Sequence, residues 1–315
     1  NPDKKKIISR IKGYHGVTIA SASLTGLPNN HRSFDLPLAS ILHTTCPHFR
    51  GFAQEGENEE AFVARCAQDL EDLILKEGPE TVAAFIGEPV MGAGGVIVPP
   101  AGYWEAIQAV LRKYDVLLIA DEVICGFGRT GEMFGTTTYA LQPDIMTLSK
   151  QLSSSYQPIS ALLINERVYG PLADESAKIG TFGHGFTASG HPVAAAVALE
   201  NLAIIEERDL IGNARELSPL FLKRLNELAK HPLAIEARGV GLIGALELKP
   251  QEGVPAGQLG PKFAGLMLDK GVIGRAIGDS IALCPPLIVN EQQINTIFDT
   301  FEASLDSFQA QLAAS

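Results

Sequence analysis

Residues 116–122 (VLLIADE) decide the fold, and residues 144–150 (DIMTLSK) repeat their plan. Each segment is an apolar run, typical of a buried strand, that ends in a charged side chain. In open α/β sheets, ligands bind at the carboxyl ends of the strands. The two segments therefore predict that Asp121 and Lys150 lie at the same edge of a parallel sheet.

Strand and helix patterns alternate on both sides of this pair, which predicts an α/β fold with a mostly parallel central sheet flanked by helices. Strands are predicted over residues 6–11, 81–86, 116–120, 144–148, 159–164, 242–248 and 281–284. Helices are predicted over residues 59–76, 103–113, 192–207 and 214–228, and from residue 291 onward. A change of pattern near residue 205 predicts a large domain over 1–205 and a smaller α+β C-terminal domain over 206–315.

The composition is that of a globular protein. Of the 315 residues, 46% are hydrophobic and 19% are charged, which supports a sizeable core and excludes a disordered chain. The net charge of −11 disfavours nucleic acid as a partner. Glu200 and Asn201 interrupt the longest apolar run, so no membrane span is predicted. The four cysteines lack CxxC spacing, which favours reduced thiols and a cytoplasmic location.

Asp121 and Lys150 each admit two interpretations. Asp121 could cap a helix or form a surface ion pair, or it could face a cationic or protonated heterocycle. Lys150 could be a solvated strand-end lysine, or partial burial could make it a Schiff-base amine. Together, a strand-end acid and lysine match the needs of a pyridoxal phosphate (PLP) site. There the lysine holds the aldehyde and the acid keeps the pyridine nitrogen protonated.

Two other patterns are weaker. Residues 126–131 (GFGRTG) fit GxGxxG, but a dinucleotide fingerprint follows its strand at once and opens a helix. Here other residues intervene and residues 132–139 lack a helical pattern, so a glycine-shaped loop is favoured. His15, His184 and His191 lie in separate glycine-rich turns without ligand spacing, so no metal site is predicted.

Five ordered motifs extend this interpretation over the whole chain. They are residues 13–16 (GYHG), 87–95 (GEPVMGAGG), 117–135 (LLIADEVICGFGRTGEMFG) with 144–150 (DIMTLSK), 184–192 (HGFTASGHP) and 275–286 (RAIGDSIALCPP). In this order they resemble the motifs of the class III aminotransferases, the ω-aminotransferase group of fold-type-I PLP enzymes. The set is far more specific than any one of its members.

The resemblance implies that Lys150 and Asp121 are the catalytic residues. Lys150 would hold the aldehyde of PLP and then move a proton between the substrate Cα and C4′ of the cofactor. Asp121 would pair with the pyridine nitrogen. Val123 and Tyr14 would pack on the two faces of the ring, and His15, from the same motif as Tyr14, is assigned to the same cofactor site.

Three further residues are assigned by the resemblance. Glu88 would lie near the ring hydroxyl. Thr187 would bind the phosphate of the neighbouring subunit's cofactor, which implies a homodimer, or a dimer of dimers, with shared sites. Arg275, expected on a loop, would pair with a substrate carboxylate and swing away for an uncharged amine. By residue type alone, Glu88 could be a loop acid, Thr187 a hydroxyl before a helix, Tyr14 a core aromatic and Arg275 a surface arginine.

The chain departs from the family pattern in three places. Residues 153–156 (SSSY) stand where many relatives have glycine, which resembles the amine:pyruvate branch. Ala188 replaces the usual tyrosine. The family also carries a Gly-Ser-Glu-Ala type phosphate loop upstream of the Tyr14 motif, so we expect this chain to be part of a longer enzyme.

These observations predict a PLP-dependent ω-aminotransferase. It would move an amino group from an amine, diamine or ω-amino acid to a keto acid, with pyruvate the expected acceptor. Two alternatives stay open: a glutamate-1-semialdehyde-type aminomutase or decarboxylating relative of the same fold, and a non-catalytic chain that serves in binding.

Overall fold

The computed structural model describes residues 2–314, which form two compact units. The first unit runs to Pro89 and includes Pro99–Phe127 and Phe134–Arg208. The second contains Val90–Val98, Gly128–Met133 and the chain from Asp209 onward. The last boundary between the two units follows Arg208, near the change of pattern at residue 205. Residues 90–98 and 128–133 were predicted to lie in the first domain. They belong to the second unit because most of their contacts are with residues of that unit.

The first unit is built on a six-stranded sheet. Its strands are β1 (Lys6–Arg10), β2 (Ile41–Thr44), β3 (Val82–Gly87), β4 (Leu117–Asp121), β5 (Ile145–Leu148) and β6 (Ala161–Ile164). Its helices are α1 (Ile19–Leu24), α2 (Phe49–Phe52), α3 (Glu59–Glu77), α4 (Tyr103–Lys113), α5 (Gly135–Thr138), α6 (Glu166–Ile179) and α7 (Pro192–Glu207). The strand order is β2-β1-β3-β4-β5-β6; the first five strands are parallel and β6 is antiparallel to β5.

Helices α3 and α4 cover the sheet with one apolar core. The buried members from both helices and from β1, β3 and β4 include Ile8, Phe62, Leu70, Phe85, Trp104, Ile107 and Leu118. Helix α3 begins where Asn58 Oδ1 accepts the backbone N–H of Ala61 at 2.8 Å, and it ends before Gly78, whose φ is +88°. The cap and the glycine fix the length of the helix that delivers this apolar face.

The second unit is organised around an antiparallel sheet in the order β7-β8-β10-β9. Its elements are α8 (Leu210–Leu228), β7 (Ala234–Val240), β8 (Ile243–Leu248), α9 (Leu259–Asp269), β9 (Arg275–Ile277), β10 (Ser280–Leu283) and α10 (Glu291–Ala313). Arg238 on β7 donates to Glu236 and Glu247, each at 2.7 Å, and to Ser280 at 2.9 Å. Its Nε donates to the carbonyl of Gly95 at 2.9 Å, which joins the segment 90–98 to this sheet.

The predicted fold class is confirmed: a mostly parallel central sheet with flanking helices and a smaller antiparallel sheet. Helices α4 and α7 have the predicted bounds. Strands β2, β7 and β9 were not predicted. Strand β9 has three residues, β2 has only two apolar residues, and β7 carries Glu236 and Arg238 and has no fully buried residue. Helix α6 was missed because it contains Pro171 and buries none of its residues. None of the helices in residues 2–314 is long and apolar enough to cross a membrane.

We predict that Phe85→Ala lowers the free energy of unfolding by about 3–5 kcal/mol, because it leaves a cavity in the core. Phe85 is fully buried, and its ring lies edge-on to Trp104 at 6.3 Å between centroids. Denaturant unfolding followed by the fluorescence of Trp104, the only tryptophan in this sequence, measures the change. Leu75→Ala is the control: Leu75 is 52% exposed, so the expected loss is less than about 0.5 kcal/mol. Equal losses in both variants would contradict the assigned core.

Candidate functional site

The carboxyl ends of β1, β3, β4 and β5 meet at one edge of the sheet, because these strands run in the same direction. Strand β4 ends at Asp121, Glu88 follows β3 directly, and Lys150 comes just after β5. Strand β1 leads into the turn that carries Tyr14 and His15. The topology therefore brings these five predicted residues to the same edge of the first unit.

A buried contact joins the carboxylate of Asp121 to the imidazole of His15. His15 Nδ1 lies 2.6 Å from Asp121 Oδ2, and the two side chains are only 2% and 6% exposed. The other carboxylate oxygen, Oδ1, accepts the backbone N–H of Val123 at 3.1 Å. Both oxygens have fixed partners, so the carboxylate is held in one orientation before any ligand binds.

The turn after β1 positions the imidazole. The backbone N–H of His15 donates to Thr25 Oγ1 at 2.9 Å. A Cβ at Gly13 would lie 3.3 Å from His15 Nε2 and 3.0 Å from the carbonyl oxygen of Arg10, so a side chain there would crowd the ring. Nε2 is buried and has no hydrogen-bond partner among the described residues. Asp121 is thus the only hydrogen-bond partner of the imidazole within residues 2–314, and the contact is made through Nδ1.

Glu88 connects the turn after β1 to the loop after β3. Its side chain is buried, and Oε1 accepts the backbone N–H of Tyr14 at 3.0 Å. Its carbonyl oxygen accepts from Nη2 of the buried Arg10 at 2.6 Å. The Arg10 guanidinium also lies 5.0 Å from the centre of the Trp104 ring, within reach of a cation–π interaction. One hydrogen bond therefore fixes Glu88 to Tyr14, and a second fixes it to Arg10.

Lys150 lies on the wall of a cavity. It begins a single 3-10 turn, Lys150–Leu152, with a φ of +34°, a conformation that few residues with a Cβ adopt. Of the two interpretations that the sequence left open, a solvated and a partly buried lysine, the structure has the solvated one, because Lys150 is exposed. The turn carries it away from the apolar body of β5, so it meets the cavity instead of the core.

The cavity has a volume of about 1130 Å³, comparable to the upper range of small-molecule sites. Val123 and Lys150 line it from the strand ends, and the segments 153–162 and 182–191 supply much of the rest. His184 and His191, considered above for metal binding, also lie in this wall. Lys150 and Val123 line the same cavity, so one ligand can lie within reach of both residues.

The two remaining predicted residues lie on the surface. Thr187 is exposed, and its neighbours Phe186 and Ala188 both line the cavity. Arg275 is exposed on the second unit, but the prediction that it lies on a loop is wrong. It is the first residue of β9 and pairs with Ala282 of β10. The functions predicted for Thr187 and Arg275 stay predictions.

Glu122 is a buried acid at this site to which the sequence assigned no function. It is 1% exposed, and its two oxygens accept the backbone N–H groups of Gly135 at 2.9 Å and Thr136 at 2.6 Å. Burial raises the pKa of the Glu122 carboxyl, and these hydrogen bonds oppose that shift. The available signal was a second acid directly after the strand-end Asp121, in a segment that is otherwise apolar.

Known proteins resemble this chain along nearly all of its length. The family model "Aminotransferase class-III" matches residues 1–305. Gamma aminobutyrate transaminase 3, chloroplastic, from Solanum lycopersicum is 50% identical over 309 residues, which are 96% of this chain and 59% of that relative. The chain therefore spans about three fifths of the length of this curated relative.

Solved structures give the same assignment. A structure described as a transaminase with L-ala superposes with a TM-score of 0.97 at 65% identity, covering 99% of this chain and 74% of the other. The omega transaminase from Pseudomonas jessenii, in complex with PMP, has a TM-score of 0.97 at 58% identity, covering 99% and 70%. On the family match and these relatives together, the chain belongs to the class III aminotransferase family.

Proposed function

We propose that this chain carries the site of a PLP-dependent ω-aminotransferase, which moves an amino group from an amine, diamine or ω-amino acid to a keto acid. One observation carries the proposal. Lys150 lines a cavity, and the neighbouring strand of the sheet, β4, ends in the buried Asp121–His15 contact. A lysine and an oriented carboxylate at one sheet edge are the two protein groups that PLP chemistry requires.

The residues of the first unit fit this cofactor. An exposed primary amine can reach an aldehyde, and the buried carboxylate of Asp121 can accept a hydrogen bond from a protonated pyridine nitrogen. Val123, which lines the cavity, supplies an apolar contact for one face of an aromatic ring. When bound, PLP supplies the aldehyde that carries the amino group and a ring that withdraws electrons from the reacting carbon.

Asp121 keeps the proton on the pyridine nitrogen in this proposal. Its negative charge, in a site shielded from water, stabilises the positive nitrogen more strongly than water does. His15 Nδ1 and the Val123 N–H hold the two carboxylate oxygens, so the carboxylate need not reorient during the reaction. Tyr14, whose backbone is fixed by Glu88, covers the other ring face, and Glu88 lies near the ring hydroxyl.

Lys150 holds the aldehyde and then acts as the base. With PLP and substrate bound, Nζ of Lys150 would move a proton between the substrate Cα and C4′ of the cofactor. The 3-10 turn fixes the backbone of Lys150, while its long side chain allows Nζ to serve both carbon atoms.

Similarity to the relatives supports the choice of substrates. The curated relatives are named gamma-aminobutyrate transaminases, which supports an ω-amino acid as donor. The 65% identical transaminase was solved with L-alanine, the amino acid formed when pyruvate accepts an amino group. We therefore propose pyruvate as the acceptor.

Thr187 supports a further part of the proposal, a homodimer. It is exposed, beside cavity-lining residues, where its hydroxyl could contact the phosphate of a cofactor held by a second copy of the chain. A dimer of dimers would use the same contact. The cytoplasmic location stays a prediction.

The intact enzyme with PLP is expected to form alanine from pyruvate only when an amine donor is present. The donors to test are 4-aminobutyrate and a simple primary amine, with alanine measured by chromatography. The same donors without a keto acid should give no more than one equivalent of product per site, because the amino group stays on the cofactor. Continued turnover without a keto acid would indicate a mutase or a decarboxylase instead.

Lys150→Ala is expected to abolish turnover, because both the attachment of the aldehyde and the proton transfer are lost. Borohydride reduction of the wild-type enzyme with PLP, followed by peptide mapping, should place the label on Lys150. Lys178→Ala is the matched control, since Lys178 is an exposed lysine on α6 that pairs with Glu175. An active Lys150→Ala enzyme would overturn the assignment of this lysine.

Arg275→Ala is expected to raise the KM for pyruvate about 10- to 100-fold while leaving the KM for an uncharged primary amine within about twofold. The reason is the loss of a charge-assisted, bidentate contact to the carboxylate. Half-reactions measured separately for pyruvate and the amine give the two values. Arg215→Ala, which removes another exposed arginine of the second unit, is the control. A similar change for both substrates would argue against a carboxylate-binding arginine at this position.

A further inference from the structure

We propose that Glu122 is a positioning residue for the candidate site, which fixes the place of Asp121 relative to Glu88 by holding the loop after β4 closed. The inference rests on the function proposed above. Glu122 does not contact the cavity, and the mechanism gives it no chemical step. Its role follows from the segments that it connects by hydrogen bonds, the end of β4, strand β5 and residues 135–136.

All the polar groups of Glu122 are engaged. Its backbone N–H donates to the carbonyl of Thr147 on β5 at 3.0 Å, and its carbonyl accepts the N–H of Gly126 at 2.8 Å. Its carboxylate oxygens accept the N–H groups of Gly135 and Thr136. One residue therefore joins the end of β4 to β5 and also closes the loop 122–136 on itself.

The closed loop leads to the opposite side of the site. Gly135 packs so tightly that a Cβ there would lie 2.8 Å from Cβ of Pro89 and 2.9 Å from Cβ of Cys125. Pro89 follows Glu88, whose carboxylate holds the backbone of Tyr14. Glu122 is thus bonded covalently to Asp121 and is linked to the loop of Glu88 through Gly135, which packs on Pro89.

A neutral side chain would not keep this geometry. The carboxylate accepts two N–H groups with two oxygens, whereas an amide has one acceptor oxygen and an NH₂ that would face the second N–H. The side chain of Glu122 is deeply buried, so no water replaces the missing acceptor. The loop would move away from β4, and Pro89 would lose the surface against which it packs.

The test compares four proteins: wild type, Glu122→Gln, Gly135→Ala and the control Glu132→Gln. Glu132 lies in the same loop but is exposed and pairs with Arg215. Gly135→Ala leaves Glu122 unchanged and disturbs the loop from the other side, by the clash with Pro89. For each protein, apoenzyme is titrated with PLP, and the absorption of the bound cofactor is recorded against pH. Thermal unfolding of the apoenzymes is measured in parallel.

Glu122→Gln and Gly135→Ala should both raise the dissociation constant of PLP about tenfold or more, because small displacements of positioned groups are costly. Both should also shift the pH midpoint of the cofactor spectrum, since Asp121 and its partners move relative to the ring. Glu132→Gln should stay within about twofold of wild type.

Two results would overturn the proposal. The first is a Glu122→Gln enzyme with the wild-type dissociation constant and pH midpoint, even if its apoenzyme unfolds at a lower temperature, because Glu122 would then only stabilise the fold. If Glu122→Gln does not fold, Gly135→Ala decides, and wild-type binding and midpoint in that variant would refute the connection through Pro89. A wild-type enzyme that bound no PLP would instead refute the proposed function, and this inference with it.

Discussion

The 2.6 Å contact between His15 Nδ1 and Asp121 Oδ2 is the interaction on which the rest of the site depends. It joins two residues 106 positions apart, at the ends of strands that are not neighbours in the sheet. A buried carboxylate without a partner would be strongly disfavoured, so the contact requires the turn after β1 and the end of β4 to be placed together. The parallel sheet makes this possible, because it brings both strand ends to one edge.

The hydrogen bonds around this contact form a frame that holds backbone as well as side chains. Glu88 holds the backbone of Tyr14, Val123 donates its own N–H to Asp121, and Glu122 holds the N–H groups of Gly135 and Thr136. Because these carboxylates accept backbone N–H groups, they fix the position of the main chain as well as that of their own side chains. These hydrogen bonds hold the site edge around Asp121, while Lys150 lies on a short turn at the wall of the cavity.

The sequence could predict the strands and helices that have strong periodic patterns, and the residues at strand ends. Helix α4 and the placement of Asp121 at the end of β4 followed from apolar spacing and from the direction of parallel strands. The sequence left open whether Lys150 is buried or exposed, and the left-handed backbone conformation of this residue is not encoded by residue type. Strand β2 was missed since only two of its four residues, Ile41 and Leu42, are apolar, which is too little pattern to separate a strand from a loop.

Glu122 shows why a second group of residues escapes sequence reasoning. Its neighbour Asp121 meets His15, whereas Glu122 meets backbone N–H groups more than ten residues further on. Nearly every residue type offers the same backbone N–H, so a hydrogen bond to the main chain does not require a particular residue as partner. No residue pattern therefore predicts such a bond. Arg10 is a similar case: it donates to the carbonyl of Glu88, which any residue would offer. The acids and bases that contact a ligand are therefore easier to identify from sequence than the charged residues that hold them in place.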